Sequence, residues 1–159
     1  MKKQSMLHVV ATPIGNLADI TMRGLEVLRS VDIIACEDTR TSRVLLSRWD
    51  IPTPVMSLHR FSEARKIESI VTRLEQGEQV ALICDAGTPA ISDPGNRLVR
   101  AVLDAGFSVT PVPGACSIVA ALSASGVDAS AFVYWGFVPR KTDQRRAFFQ
   151  EILRERKSS

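Results

Sequence analysis

The sequence predicts an α/β fold built on a mostly parallel five-stranded sheet with helices on both faces. Three observations predict it. Short apolar runs of strand length alternate with segments of helical period along most of the chain. Parallel strands need long crossover connections, and the helical segments between the runs supply them. A long turn-rich stretch, Asp85-Ala86-Gly87-Thr88-Pro89-Ala90-Ile91-Ser92-Asp93-Pro94-Gly95, leaves the end of one such run. That is where open α/β sheets place their ligand crevice.

In chain order, residues 7–11 read as the first strand, ended by Thr12-Pro13-Ile14-Gly15-Asn16. A helix over 21–30, a strand over 32–36 and a helix over 39–49 follow, the last closed by Pro52 and Pro54. Residues 55–59 form a short third strand. The helix at 63–76 carries Ile67, Ile70, Val71 and Leu74 at i, i+3, i+4 and i+7, with Ser62 placed to cap its start and Gly77 its end. The strand at 79–84 feeds the 85–95 loop, where Asp93 and Pro94 read as N-cap and first residue of the next helix. A fifth strand lies at 107–112 and a small-residue helix at 116–125. One more strand, 132–137, and a basic amphipathic helix, 143–156, end the chain. Residues 125–130 lack an apolar pattern and mark a boundary.

Composition narrows the class. The 159 residues are 45% hydrophobic and 23% charged, the profile of a globular domain. No run approaches the ~18 apolar residues of a membrane helix, and the N-terminus has no secretory pattern. Cys36, Cys84 and Cys116 are odd in number and sit in or beside apolar segments, which points to reduced thiols and a cytoplasmic setting. Residues 140–159 hold seven Lys/Arg against three Asp/Glu, so +4 of the net +3 lies there and the body is near neutral at −1. Such a tail suits nucleic-acid phosphates or a solvated helix face.

The motifs exclude two familiar nucleotide folds. There is no Gly-x-Gly-x-x-Gly after the first strand and no Gly-x-x-x-x-Gly-Lys-Ser/Thr. His59 with Cys36 and Cys84 has no ligand spacing, so no metal site is expected. What remains is a set of loops at strand ends. Thr12–Leu17, Asp85–Gly95 and Pro113-Gly114-Ala115-Cys116-Ser117 are each rich in Gly, Pro and small hydroxyl residues. Their convergence on one edge of the sheet predicts a pocket.

These residues carry a family resemblance. Ala11-Thr12-Pro13-Ile14-Gly15-Asn16-Leu17, Glu37-Asp38-Thr39-Arg40, Asp85-Ala86-Gly87-Thr88-Pro89, Ile91-Ser92-Asp93-Pro94-Gly95, Pro113-Gly114-Ala115 and Gly136-Phe137-Val138-Pro139 resemble the tetrapyrrole methylase superfamily. Within it they are similar to the branch of small-subunit ribosomal RNA methyltransferases; the tetrapyrrole branch usually has Gly-Asp-Pro where this chain has Gly87-Thr88-Pro89. The resemblance implies a non-Rossmann methyltransferase with S-adenosyl-L-methionine in a cleft between two domains. It implies methyl transfer to the ribose 2′-hydroxyl of a cytidine in the decoding region of 16S rRNA. The alternatives are a methyltransferase of the same superfamily acting on a tetrapyrrole, another small molecule or a protein, and a non-catalytic fragment that binds cofactor or RNA. Family members continue through a full second α/β domain, so residues 1–125 are expected to be the N-terminal domain. Residues 126–159 would then be the opening strand and helix of an incomplete second one. A homodimer acting on the small ribosomal subunit is the expected assembly.

Carried over, the cofactor wall is Pro13, Gly87, Thr88, Pro89, Ile91, Ser92, Asp93, Pro113, Gly114, Ala115 and Phe137. Asp93 stays open between ligand contact and helix capping. A ribose hydroxyl needs a proton acceptor, and the strand-end carboxylates Asp85, Glu37 and Asp38 are the candidates. The alternative for the last two is an ion pair with Arg40 that shapes the loop. Arg40, Arg43, Arg60, Arg140 and Lys141 are the expected RNA contacts.

Overall fold

Successive strand residues face opposite sides of a sheet, and the central runs of this chain are apolar at nearly every position, so both faces need cover. The computed structural model describes residues 5–58 and 63–154, the Glu63 side chain excepted, and supplies that cover. The strands are β1 (Met6–Val10), β2 (Ile33–Cys36), β3 (Val55–Ser57), β4 (Val80–Leu82) and β5 (Ser108–Val112). They pair only in parallel, in the order β3-β2-β4-β1-β5. Val80 stands opposite Leu7 on one side and Ile33 on the other. Pro111, which has no N–H to donate, lies in the edge strand β5, where its loss is tolerated.

Helices α1 (Met22–Ser30) and α2 (Thr39–Arg48) cover one face. Their Leu25, Leu28, Leu45 and Leu46 pack on Val10, Ile34, Cys36, Ala81 and Ile83. Helices α3 (Glu63–Glu75) and α4 (Asn96–Asp104) cover the other, placing Ile70, Leu74, Leu98 and Val102 on Leu7, Ile33, Ala35, Val80 and Leu82. Each side chain so buried contributes about 1.5–3 kcal/mol relative to exposure. Thr21 caps α1 by accepting from the Gly24 N–H at 3.0 Å. Ser62, expected to cap α3, lies outside the described residues.

The order of the strands positions the site. β1 hands the chain to α1 on the first face, whereas its neighbour β4 hands it to α4 on the opposite face. The two connections part at adjacent strand ends, and a crevice opens there.

Two expectations are corrected. The helix after β4 begins at Asn96, not at Pro94; its N-cap is Gly95, at φ +132° and with no side-chain cap. Asp93 is therefore not the cap. Residues 132–137 form no strand, because a strand needs a partner's hydrogen bonds and none of the described residues offers them.

The chain divides into two compact units, residues 1–117 and 118–159. The second holds nearly all of α5 (Ser117–Ser125) and all of α6 (Thr142–Arg154), joined by an irregular segment whose Trp135 meets Phe148 edge-on with ring centroids 6.4 Å apart. No helix among the described residues is long and apolar enough to cross a membrane.

Candidate functional site

The loops leaving four of the five strands interlock. Thr12, just past β1, forms an antiparallel bridge with Gly87. The Thr12 N–H donates to the Gly87 carbonyl at 2.9 Å, and the Gly87 N–H to the Thr12 carbonyl at 3.0 Å. The buried Thr12 hydroxyl donates to the Cys84 carbonyl at 3.0 Å. Gly87 sits at φ +86°, which a residue without Cβ adopts freely. The Thr88 hydroxyl reaches the β5 loop, donating to the Ala115 carbonyl at 3.2 Å. Gly114 backs on β1 so closely that a Cβ there would stand 3.0 Å from Ala11 Cβ. Finally, the Asp38 N–H after β2 donates to Asp85 Oδ1 at 3.3 Å.

The expected carboxylates are thus brought to one edge, with different surroundings. Asp38 is the N-cap of α2, accepting from the Arg40 N–H at 2.8 Å, and its other oxygen takes the Arg40 guanidinium at 2.7 Å. This is the loop-shaping ion pair. Asp85 is exposed and retains acceptor capacity beyond its bond to Asp38; Glu37, next to Asp38 in sequence, is half-buried. Asp93 lies against the Cys84 thiol. Burial first, and the Asp93 carboxyl second, push the Cys84 pKa up to about 12. Cys36 is raised as well, by burial foremost.

Two cavities flank this edge. The larger, about 430 Å³, takes in Ile91, Ser92 and Asp93 from the loop and Asn96 and Arg97 from the first turn of α4. The smaller, about 240 Å³, is walled by Pro13, Leu17, Val44, Leu45 and Ile83, and Asp85 lines it too. Cys84 lines the smaller cavity and Asp93 the larger, so the contact between these two side chains joins them.

Of the expected cofactor wall, Ile91, Ser92 and Asp93 therefore share the larger cavity, while Pro13 belongs to the smaller. Pro89 is buried, Pro113 and Gly114 are exposed, and Ala115 holds Thr88. Phe137 is exposed in the second unit, as are Arg140 and Lys141. Arg40 and Arg43 are exposed on α2; Arg60, with His59 and Phe61, lies outside the described residues.

A family model for tetrapyrrole (corrin/porphyrin) methylases matches residues 6–158. The chain belongs to this family. Among curated relatives, a protein of Escherichia coli O157:H7 named ribosomal RNA small subunit methyltransferase I is 47% identical over 152 residues, 96% of this chain and 53% of that protein. Its namesake from Neisseria meningitidis serogroup B is 50% identical over 148 residues, 93% of this chain and 51% of that protein. The chain spans about half the length of the curated relatives it matches. Among solved structures, uroporphyrin-III-C-methyltransferase from Thermus thermophilus superposes with a TM-score of 0.61 at 20% identity, covering 79% of this chain and 54% of that one. A cobalt precorrin-4 methyltransferase gives 0.62 at 21% identity, covering 76% of this chain and 50% of that one. Both structures share the tetrapyrrole methylase fold with this chain.

Sequence reasoning missed the part α2 plays. Thr41, Val44 and Leu45 read as an ordinary helix stripe, yet they line the smaller cavity. The available signal was Val44, an apolar residue among the arginines of the outward face and 60% exposed. Ser42, also on that cavity, has a buried hydroxyl with no partner in hydrogen-bonding geometry among the described residues, though it stands near enough to the Cys36 thiol to favour the thiolate slightly.

Proposed function

We propose that the chain serves S-adenosyl-L-methionine-dependent methylation of small-subunit ribosomal RNA, at the ribose 2′-hydroxyl of a cytidine in the decoding region of 16S rRNA. The observation that carries this reading is identity near 50% over almost the whole chain to proteins named ribosomal RNA small subunit methyltransferase I. In the same reading residues 1–125 are the N-terminal methylase domain and 126–159 open a second. The protein works as a homodimer in the cytoplasm, and the small ribosomal subunit is its partner.

The residues present fit the methyl donor. A cavity of about 430 Å³ lies within the ~300–1,000 Å³ that a drug-sized ligand occupies. Its Ser92, Asp93, Asn96 and Arg97 offer the hydroxyl, carboxylate, amide and guanidinium that ribose hydroxyls and a zwitterionic tail require. When bound, S-adenosyl-L-methionine supplies an electrophilic methyl group on a sulfonium.

The chain's own part is alignment and proton acceptance. In-line displacement draws most of its acceleration from holding the reacting atoms in line, and the Thr12–Gly87, Thr88–Ala115 and Asp38–Asp85 bonds fix the loops that do so. A strand-end carboxylate, Glu37 or Asp85, takes the ribose proton, with Asp38 tied to Arg40. Arg40 and Arg43 of α2 and Arg140 and Lys141 meet phosphates, positioning the strand without reading it.

Incubating the full chain with methyl-labelled S-adenosyl-L-methionine and 30S subunits tests the reading, with uroporphyrinogen as control. Label in 16S rRNA at a cytidine ribose is expected. Label in the tetrapyrrole alone, or in neither acceptor, overturns it.

A further inference from the structure

The smaller cavity shares Pro13 with the expected cofactor wall and Asp85 with the candidate proton acceptors, but its chemistry is unlike that of the larger one. At about 240 Å³ it falls below the ~300–1,000 Å³ range of drug-sized ligands, so it suits one ring and not a whole methyl donor or tetrapyrrole. Its walls, Pro13, Leu17, Val44, Leu45 and Ile83, are apolar from three directions: the β1 loop, α2 and the end of β4. A flat ring is held between apolar walls in this way when a base is drawn out of its stack. Val44, 60% exposed, forms an apolar lip of the cavity.

Of the polar groups lining the cavity, Asp85 carries the charge; the Thr12 hydroxyl is engaged with the Cys84 carbonyl, and Thr41 and Ser42 add two hydroxyls. Asp85 follows β4, is exposed, and accepts a long hydrogen bond, at 3.3 Å, from the Asp38 N–H. A carboxylate accepts hydrogen bonds and donates none, so it selects a ring that carries an amine; cytosine N4 is the single-ring base that does so. Uracil presents a carbonyl at the same position and is repelled. Alongside, α2 carries Arg40, Arg43 and Arg48 and no acidic residue, so the same helix that walls the cavity presents positive charge to a strand's phosphates. Arg43 is free of any acid in that helix, and Arg40 shares its charge with Asp38.

We propose that this cavity receives the extruded cytosine of the target strand, with Asp85 accepting a hydrogen bond from the exocyclic amine. The proposal rests on the rRNA reading above and deepens it. It makes Asp85 a specificity residue and leaves the ribose proton to Glu37. Cys84 on this cavity and Asp93 on the donor cavity are close neighbours, so the base and the donor would be held side by side.

The test is an NMR titration of the full chain, methyl-labelled, with cytidine 5′-monophosphate, uridine 5′-monophosphate and S-adenosyl-L-methionine in turn. The two nucleotides share their phosphate, so any difference reports the base. The Val44, Leu45 and Ile83 methyls are expected to shift with the cytidine nucleotide, at an affinity at least fivefold tighter than with the uridine one. Asp85→Ala should bring the two affinities together, and Val44→Trp, which fills the mouth, should abolish both while the remaining methyl spectrum stays native. Equal affinities in the unaltered chain, no shift at these methyls, or a shift there caused by S-adenosyl-L-methionine overturns the proposal. The two readings fail separately. Cytidine-selective shifts without methyl transfer to rRNA remove the transferase reading alone, and transfer without such shifts removes the base pocket alone.

Discussion

Two glycines at positive φ separate loop shape from packing. A Cβ at Gly87 would meet only Ile14 Cγ2 at 3.5 Å and the Ala115 carbonyl at 3.9 Å, ordinary contacts. The cost of Gly87→Ala is then backbone strain alone, about 1–2 kcal/mol at φ +86°. At Gly95 the φ is +132° and a Cβ would lie 2.7 Å from Leu82 Cδ2. Leu82 is buried in the core, so its methyl has no free volume to move into, and overpacking adds about 1–3 kcal/mol to the strain. With each kcal/mol worth roughly 2–4 °C in a chain of this size, Gly87→Ala should lower Tm by about 2–8 °C and Gly95→Ala by roughly 4–20 °C, the larger loss of the two. Equal shifts in a calorimetric comparison would show that the 2.7 Å contact relaxes without cost. The Cys84 thiol adds a pH signature at the same scale. Its pKa rises from 9.0 to about 12 on folding, so above pH 9 the unfolded chain loses this proton while the folded one keeps it. Stability is fully present below pH 9 and falls as pH rises toward 12, by at most about 1.4 kcal/mol per pH unit from this group. Denaturant midpoints from pH 8 to 10.5 should fall less steeply in Cys84→Ala; an unchanged slope would assign the loss to other groups.

At the scale of the element, what was legible in the sequence depended on whether local pattern or long-range pairing decides the structure. Helix α3 was legible because Ile70 and Leu74 repeat at the helical period and both end up fully buried on one face of the sheet. The start of α4 was misread for a local reason. Asp93-Pro94 has the chemistry of a cap and first turn, but the chain turns once more at Gly95, and Asp93 swings to the Cys84 thiol instead. Residues 132–137 have strand composition, yet strand propensity expresses fit to a neighbouring strand and none is present among the described residues. The convergence of the strand-end loops was legible, since parallel strands all point the same way. Which loop touches which was not. The Thr12–Gly87 bridge needs β4 and β1 to be adjacent, and adjacency comes from the strand order, which no sequence period encodes. The cavity beneath α2 escaped for the same reason: a helix stripe shows that a face is covered, not whether the cover leaves a gap.

Across the whole molecule, stability is concentrated in the first unit. Every buried apolar side chain among the described residues lies between Leu7 and Val112, and neither α5 nor α6 buries a residue. Segments with few buried contacts and unpaired backbone open at low free energy, whereas core strands open only with the whole domain. The peptide bonds after Arg140, Lys141, Arg145 and Arg146 should therefore be cut by trypsin long before those after Arg29, Arg73 or Arg100, which sit in helices packed on the sheet. Timed digestion followed by mass measurement checks this, and cleavage at both groups of sites at one rate would refute it. The consequence bears on the site. The residues of both cavities named above lie between Thr12 and Arg97, and the bonds that interlock the loops end at Ala115, so all of them fall inside the resistant unit. A trimmed chain should accordingly keep the cytidine-dependent methyl shifts of Val44, Leu45 and Ile83, because neither the walls of that pocket nor the Asp85 carboxylate depends on residues 118–159.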